Sequence, residues 1–390
     1  MSPGYNRLVE HIFELTPEQL ETVCTQRGMP RFVASQILDW VYRKGVVQFE
    51  AMTNIAMRNR QALAEMLAIH TGQLIRHQLA TDGTQKLLLQ WPRHAQPATS
   101  LPVLMHDPKR QTECVMIPTP PPNARKTACV SSQIGCPVGC RFCASGLSGL
   151  DGNLRTGQIV EQVHRLSFDA SMLHNEPQRT ANSEHRTAAG RITNVVFMGM
   201  GEPLANFNAV TGAIRILNAP WGMGISARKI TVSTVGLPAA IRKLVDFELP
   251  VTLALSLHAP NDELRRQLIP WANYATIDEL LDACDEYFQK TGREITLEYL
   301  LLRGVNDQLE HARELASLAK CLRANVNLIR YNEVKGLPFD RPTTDDVHAF
   351  QKLLREKRIN AHLRASRGRD IAAACGQLRH EHHKHNAAAQ

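Results

Sequence analysis

The sequence predicts an α/β protein, a partial (β/α)6 barrel with a small N-terminal helical accessory domain. Two patterns predict it. Six apolar, β-rich runs (TACVSSQI, NVVFMGM, KITVST, PVTLALSL, EITLEYLLL and NVNLIRY) alternate with helical segments across residues 119–378. Near-continuous apolar strands separated by helices make a parallel sheet covered on its outer face, and such units suggest a barrel that is partly closed. Residues 1–75 instead show helical spacing. A chain of 390 residues with 43% hydrophobic content can bury such a core beside an accessory domain.

In the first segment, Leu8, Ile12 and Phe13 precede a helix start at Thr16, Pro17 and Glu18, with Thr16 as N-cap and Pro17 in the first turn. A second helix begins near Arg31 and carries Phe32, Ile37, Leu38, Trp40 and Val41 at helical spacing as core residues. Arg31, Arg43, Lys44, Arg58 and Arg60 stud the same region, where a solvated face and an RNA-contacting module are both open. Residues 76–118 read as a β-rich bridging segment, with KLLLQW and ECVMIP around an Asp82-Gly83 turn. The core domain, 119–378, opens on a stiff loop from Thr119 to Asn123 that carries three consecutive prolines. Helices are expected from Gly157 to Leu166 and from Ile277 to Gln289, with a polar surface loop between about Ala170 and Ala189. Residues 379–390, RHEHHKHNAAAQ, have the composition of a solvated, disordered tail.

Charge and cysteine usage narrow the function classes. A formal charge of +8 favours a polyanionic partner such as RNA. There is no run of 18 uncharged apolar residues and no basic start leading into an apolar stretch, so a cytoplasmic protein without a membrane span is expected. Nine cysteines, an odd number spread along the chain, argue for metal or thiol chemistry and against a structural disulfide framework.

Cys136, Cys140 and Cys143 form a CxxxCxxC loop after the first predicted barrel strand. Three thiolates from one loop can hold a [4Fe–4S] cubane and leave one iron without a protein ligand. That open iron can chelate S-adenosylmethionine (SAM), the pattern of a radical-SAM enzyme. Gly135 and Gly139 permit the tight turns, and Phe142 can shield the cluster. A structural zinc site would need a fourth ligand and usually pairs two CxxC units. Downstream, NVVFMGMGEP ends a predicted strand on Gly199, Gly201, Glu202 and Pro203, where exposed backbone and a carboxylate suit the amino group of SAM's methionine part. Ser233, then Ser256, Leu257 and His258, then Asn332 follow at successive strand ends and complete a candidate SAM site in the barrel mouth.

The strings CVSSQIGCPVGCRFCASG, VVFMGMGEPLANFN, ALSLHAPNDELR and GRDIAAACGQL resemble the RlmN/Cfr family of radical-SAM adenosine methyltransferases. PRFVASQILDWVY and TDGTQKLLL are similar to that family's accessory domain and lead-in, so the likeness runs nearly end to end. The resemblance implies a radical route, because carbon 2 or carbon 8 of adenine is an electrophilic amidine carbon that cannot attack a SAM methyl group. It implies that Cys375, in ACGQL, first receives a methyl group as an S-methylcysteine intermediate. A second SAM then yields a 5′-deoxyadenosyl radical, which takes a hydrogen from that methyl group, and the resulting carbon radical adds to the adenine. By the same resemblance, Glu113 is the proton acceptor, and Cys129 is the resolving thiol that forms a transient disulfide with Cys375. Cys24, Cys114, Cys284 and Cys321 match no role and are expected in the core. Arg330 stands in NLIRYN where the family often has proline.

The expected substrate is carbon 2 of an adenosine in 23S rRNA, extending to the adenosine beside the tRNA anticodon. The expected partners are these RNAs and a one-electron reductase such as flavodoxin, with the chain a monomer. Three other readings stay open: a carbon 8 methyltransferase conferring antibiotic resistance, a radical-SAM activase acting on a protein glycine, and a noncatalytic RNA-binding protein with a structural cluster.

Overall fold

The computed structural model describes residues 10–92, 106–120, 125–147, 149–169 and 191–378. The expected loop at 170–189, most of the proline run and the 379–390 tail lie outside the described residues. In the N-terminal part, strand β1 (Glu10–His11) is followed by helices α1 (Pro17–Thr25), α2 (Phe32–Leu38) and α3 (Met57–Met66), and strand β2 (Leu67–Ala68) pairs with β1 in parallel. Thr16 caps α1 as expected: its hydroxyl accepts from the Gln19 N–H at 3.3 Å while the Gln19 side chain accepts from the Thr16 N–H at 2.8 Å. One expectation fails at α2, where Phe32 is 61% exposed. The buried stripe is Val33, Ala34, Ile37, Leu38 and Val41, so Phe32 lies one residue out of phase with the helix's inner face. Most of the basic residues noted here are engaged within the chain. Arg31 pairs with Glu21 at 2.6 Å, Lys44 pairs with Asp39 and lies over Trp40, Arg43 donates to the Pro220 carbonyl and Arg60 to that of Glu50.

The remainder is organised on one sheet. Its strands are β3 (Gln73–Leu79), β4 (Gln85–Pro92), β5 (His106–Pro118), β6 (Lys126–Cys129), β9 (Asn194–Phe197), β10 (Ile230–Thr234), β11 (Thr252–Ser256), β12 (Ile295–Leu301), β13 (Ala324–Arg330) and β14 (Ala361–Arg364), while β7 (Gln133–Gly135) pairs separately with β8 (Leu150–Asn153). The order across the sheet is 14-13-12-11-10-9-6-5-4-3. Strands β6 and β9 to β14 are parallel, and β5, β4 and β3 continue the sheet antiparallel from β6. All six expected runs are strands, and β14 adds a seventh parallel strand that no apolar run announced.

Helices α4 (Thr156–Phe168), α5 (Phe207–Asn218), α6 (Pro238–Val245), α7 (Asp262–Leu268), α8 (Ile277–Thr291), α9 (Leu309–Lys320) and α10 (Thr344–Glu356) make the crossovers. The crossover α8 starts on a capping box, with Thr276 accepting from the Glu279 N–H and Glu279 accepting from that of Thr276. One apolar core runs from Ile12 and Phe13 of the accessory part through Val195, Leu253 and Leu297 of the barrel. Among the described residues no helix is long and apolar enough to cross a membrane.

The TACVSSQI run does not continue as one strand. After Cys129 the chain leaves the ladder because Ser132 and Gln133 donate their N–H groups to the Met200 carbonyl, at 2.9 and 3.2 Å, and Ser131 donates its hydroxyl to the Glu113 carbonyl at 2.6 Å. Those bonds carry the cysteine loop over to the GMGEP loop.

Helix α4 joins the two parts of the molecule. Its Glu161 is fully buried and accepts from the Thr71 N–H (2.8 Å), the Gly72 N–H (3.1 Å) and the Arg165 guanidinium (2.8 Å). Around it lie His11, His70 and His164. Burial drives the His11 imidazole down to about 3, and the nearby Arg155 and Arg165 oppose its charging further. His11 is therefore neutral, donating to the Ile69 carbonyl at 3.1 Å, and its 3.4 Å approach to Glu161 is a dipolar contact. His70 is likewise held low by burial, and donates to His164 Nδ1 at 3.0 Å while His164 Nε2 donates to the Val41 carbonyl.

Two outcomes are expected. Glu161→Ala leaves Arg165 with Asp169 as its remaining carboxylate and strips the Thr71 and Gly72 N–H groups of their acceptor, and should cost about 3 kcal/mol in denaturant unfolding; a loss under 1 kcal/mol would contradict this role. The unfolded chain protonates His11 near 6.5 and the folded one only near 3, so falling pH favours unfolding between these values. Relative to the parent, His11→Gln should flatten the dependence of stability on pH below 6.5 by about 1.4 kcal/mol per pH unit.

Candidate active site

The C-terminal ends of the parallel strands surround a cavity of about 890 Å³ including its open mouth. Cys136, Cys140 and Cys143 line it together with Gly201, Glu202, Ser233, Ser256, His258, Glu298 and Cys375. The cysteine loop is shaped by Gly135 and Gly139, both in the left-handed region, at φ 76 and 70. It is tied on one side by the Arg141 N–H donating to the Leu268 carbonyl at 3.0 Å. On the other side, the Ala144 N–H donates to the Gly376 carbonyl at 2.8 Å and the Ser145 hydroxyl to that of Leu378 at 2.7 Å. Phe142 lines the cavity and meets His258 edge-on at 5.1 Å.

The donor set fits an iron–sulfur cluster. Burial pushes the Cys136 thiol up to about 12 and raises those of Cys140 and Cys143, and neighbouring thiolates raise Cys136 and Cys140 further. Such a trio ionises only beside a polycation. Among the described residues no three His, Cys, Asp or Glu side chains are arranged for a single metal ion. One tetrahedral ion draws its sulfurs to about 2.3 Å from one point; a cubane takes each thiolate on a different iron.

Glu202 caps the short helix Pro203–Asn206 in the loop after β9, its carboxylate accepting from the N–H groups of Leu204 and Val235, both at 2.9 Å. Burial nonetheless lifts it to about 7. Ser233 and Ser256, one strand apart, are within 3.2 Å of each other. His258 adopts φ 57 and accepts at Nδ1 from the Leu300 N–H at 3.0 Å; burial, with Arg265 nearby, lowers it to about 3 and keeps it neutral. Two residues of the expected SAM site are not among those that line this cavity: Leu257 is buried, its carbonyl accepting from Arg265. Asn332 lines a second cavity, its side-chain oxygen accepting from Arg341 at 3.0 Å.

That second cavity, about 910 Å³ including its open mouth, is lined by Arg125, Arg364, Arg367, Thr127 and Ser366, and Cys375 lines both spaces. Burial raises the Cys375 thiol and the Arg364 guanidinium opposes it; burial pushes Cys129 up to about 12, with Cys375 adding to the rise and Arg364 opposing. Cys129 packs with Val115, Met200, Ala373 and Leu378. All nine cysteines are free thiols. Cys24, Cys114 and Cys284 are buried as expected, whereas Cys321 is exposed at the end of α9, so its core assignment is corrected. Glu113 lines neither cavity; it is buried on β5 against Lys86 at 2.9 Å. Arg330 donates to the Pro342 carbonyl at 2.8 Å and closes the loop after β13.

Sequence reasoning missed Glu298, Arg265 and Arg364. Glu298 is a lone charge within the apolar run EITLEYLLL, and a charge in a buried strand is itself a signal. Arg265 is buried and donates to the Leu257 and Val235 carbonyls, binding together the ends of β10 and β11. Arg364 had no signal, because β14 is short and polar.

Gly201 sits at φ 102, and a Cβ there would lie 2.6 Å from the Gln133 side chain. Gly201→Ala should therefore destabilise the fold by about 1–3 kcal/mol and lower the melting midpoint in calorimetry; an unchanged midpoint would show that the loop relaxes freely.

Residues 130–316 match the Radical SAM superfamily and residues 11–69 the ribosomal RNA large subunit methyltransferase N-terminal domain. The chain is 41% identical to a probable dual-specificity RNA methyltransferase RlmN 3 of Opitutus terrae, covering 94% of each chain. It is 40% identical to the dual-specificity RNA methyltransferase RlmN of Nitratidesulfovibrio vulgaris, again over 94% of each. A crystal structure of a radical SAM methyltransferase from Sphaerobacter thermophilus superposes with a TM-score of 0.84 at 39% identity, covering 95% of this chain and 100% of that one. Both domains are thus present in one chain with near-complete relatives, and the chain belongs to the RlmN family of radical-SAM RNA methyltransferases.

Proposed function

We propose that this enzyme methylates carbon 2 of an adenosine in 23S rRNA, and of the adenosine beside a tRNA anticodon, with Cys375 carrying the transferred carbon. One observation carries the reading: Cys375 lines both the cavity of the three-cysteine loop and the arginine-lined second cavity. A thiol so placed can receive carbon from one side and deliver it to a polyanion on the other. The second cavity, with Arg125, Arg364 and Arg367, suits RNA, and the N-terminal helical domain is its further contact.

A [4Fe–4S] cluster on Cys136, Cys140 and Cys143, with SAM, supplies an electron, the methyl group and a 5′-deoxyadenosyl radical when bound. Gly201, Glu202, Ser233, Ser256 and His258 hold SAM in the cavity they line. Arg364 favours the thiolate of Cys375 as it accepts the methyl group. Addition of that carbon to the adenine leaves a radical adduct; it gives up one electron, matching the one spent in cleaving SAM, as Glu113 accepts the ring proton, and a closed-shell protein–RNA adduct remains. Cys129 then attacks the Cys375 sulfur, so a sulfur–sulfur bond forms as the carbon–sulfur bond breaks and the carbon takes a proton to become the product methyl. The disulfide is transient and is reduced between turnovers by thiol–disulfide exchange with an external dithiol, which supplies the two electrons and two protons. The enzyme works in the cytoplasm as a monomer, with a one-electron reductase such as flavodoxin as donor.

Mass spectrometry of digested RNA tests this. The reconstituted enzyme should yield 2-methyladenosine, and Cys375→Ala should lower the yield at least 100-fold. Appearance of 8-methyladenosine in its place would overturn the regiochemistry, and full activity of Cys375→Ala would overturn the methyl-cysteine route.

A further inference from the structure

The sheet register gathers the candidate base and the candidate resolving thiol on one face. Glu113 and Val115 lie two apart on β5 and so share a face, and Val115 is paired with Cys129 of β6. On the other side of β5, Val115 is paired with Lys86 of β4 and Glu113 with Leu88. Lys86 and Glu113 are therefore diagonal neighbours on that same face, within reach of a long side chain. The segment bearing Cys375 covers it, since Ala373 and Leu378 pack on Val115 and Cys129.

Lys86 is almost wholly buried, a state lysine adopts only when paired. Its ammonium group makes two contacts that belong to different parts of the reaction. It pairs with the Glu113 carboxylate at 2.9 Å, and it donates to the Ala372 carbonyl at 3.2 Å, three residues before Cys375. The turn that precedes Lys86 grips the same segment. The Gly368 N–H donates to Asp82 at 3.0 Å, the Thr81 N–H donates to Asp370 at 2.9 Å, and Arg367 lies 4.0 Å from Asp82. Ala372 itself is held at φ 50, a conformation that a non-glycine residue keeps only when its surroundings enforce it.

We propose that Lys86 is a positioning residue that sets the Glu113 carboxylate and the Cys375 segment in fixed relation, so that the base faces the ring proton of the protein–RNA adduct. This rests on the reading of Glu113 as proton acceptor and of Cys375 as carbon carrier. The residue acts late. Cys375 is methylated at the cysteine-loop cavity, which Lys86 does not line, whereas resolution of the adduct needs Glu113 in place.

The test uses the full-length, cluster-reconstituted enzyme with a chemical reductant, SAM and a 23S rRNA fragment. Four quantities are read: methylation of Cys375 by mass spectrometry, 5′-deoxyadenosine, covalent protein–RNA adduct on a denaturing gel, and methylated adenosine. Lys86→Met should keep Cys375 methylation and 5′-deoxyadenosine within about threefold of the parent, lower methylated adenosine at least tenfold, and accumulate adduct as Glu113→Gln does. Lys86→Gln, which can still donate to Ala372 but cannot pair in charge with Glu113, should behave in the same way, and Lys86→Arg should recover product. The double variant Lys86→Met/Glu113→Gln should be no worse than Glu113→Gln alone. Parent-level product from Lys86→Met, or a proportional fall in all four quantities in both Lys86→Met and Lys86→Gln, overturns the proposal. If Glu113→Gln itself accumulates no adduct, the reading of Glu113 fails, and the Lys86 role falls with it.

Discussion

Residues 367–378 are held from both ends by hydrogen bonds to segments far away in sequence. The Asp82 turn and Lys86 grip the segment's beginning, and Ala144 and Ser145, just past the cysteine loop, grip its end through Gly376 and Leu378. Without those bonds the segment would be a short polar tail after an edge strand. With them, it becomes part of the wall between two cavities, and Cys375 is the residue of the segment that lines both, together with Ile329 of β13. Such ties are individually worth about 0.5–1.5 kcal/mol, but together they determine where one sulfur sits.

The barrel mouth concentrates polar groups that would be costly elsewhere. Glu202, Glu298, Arg265 and Arg364 are drawn into a largely apolar surround, and each meets specific partners there: backbone N–H groups for Glu202, the Asn327 amide for Glu298, backbone carbonyls for Arg265 and the Met198 sulfur for Arg364. Backbone dipoles and fixed charges arranged in this way cost little to reorganise during a reaction. Arg364 and Arg265 bring positive charge beside Cys375 and Cys140 respectively, which favours the thiolates that the proposed methyl transfer and cluster binding require.

The accessory part belongs to the same apolar core as the barrel, and polar bonds decide its docking. Glu161 and Gln162 on α4 are fully buried, one taking N–H groups from Thr71 and Gly72, the other exchanging bonds with Ser131. A single helix thus fixes both the lead-in to the sheet and the start of the cysteine loop. The basic residues of the first helices serve this docking and local pairing as well as any surface role: Arg43 reaches Pro220 at the end of α5.

What the sequence determined by itself is whatever local periodicity and close spacing encode. Alternating apolar runs marked β6 and β9 to β13, Thr16 marked a helix start, and CxxxCxxC placed three thiols on one loop because three and two intervening residues cannot separate them far. The resemblance carried by ACGQL singled out Cys375. Tertiary structure decided the rest. A seventh parallel strand, the separation of Asn332 and Leu257 from the cysteine-loop cavity, and the pairing of Lys86 with Glu113 depend on sheet register and on a segment returning across more than two hundred residues. Contacts of that range leave no periodic trace in sequence, because a strand pair is selected by the sum of packing and hydrogen bonding over the whole sheet.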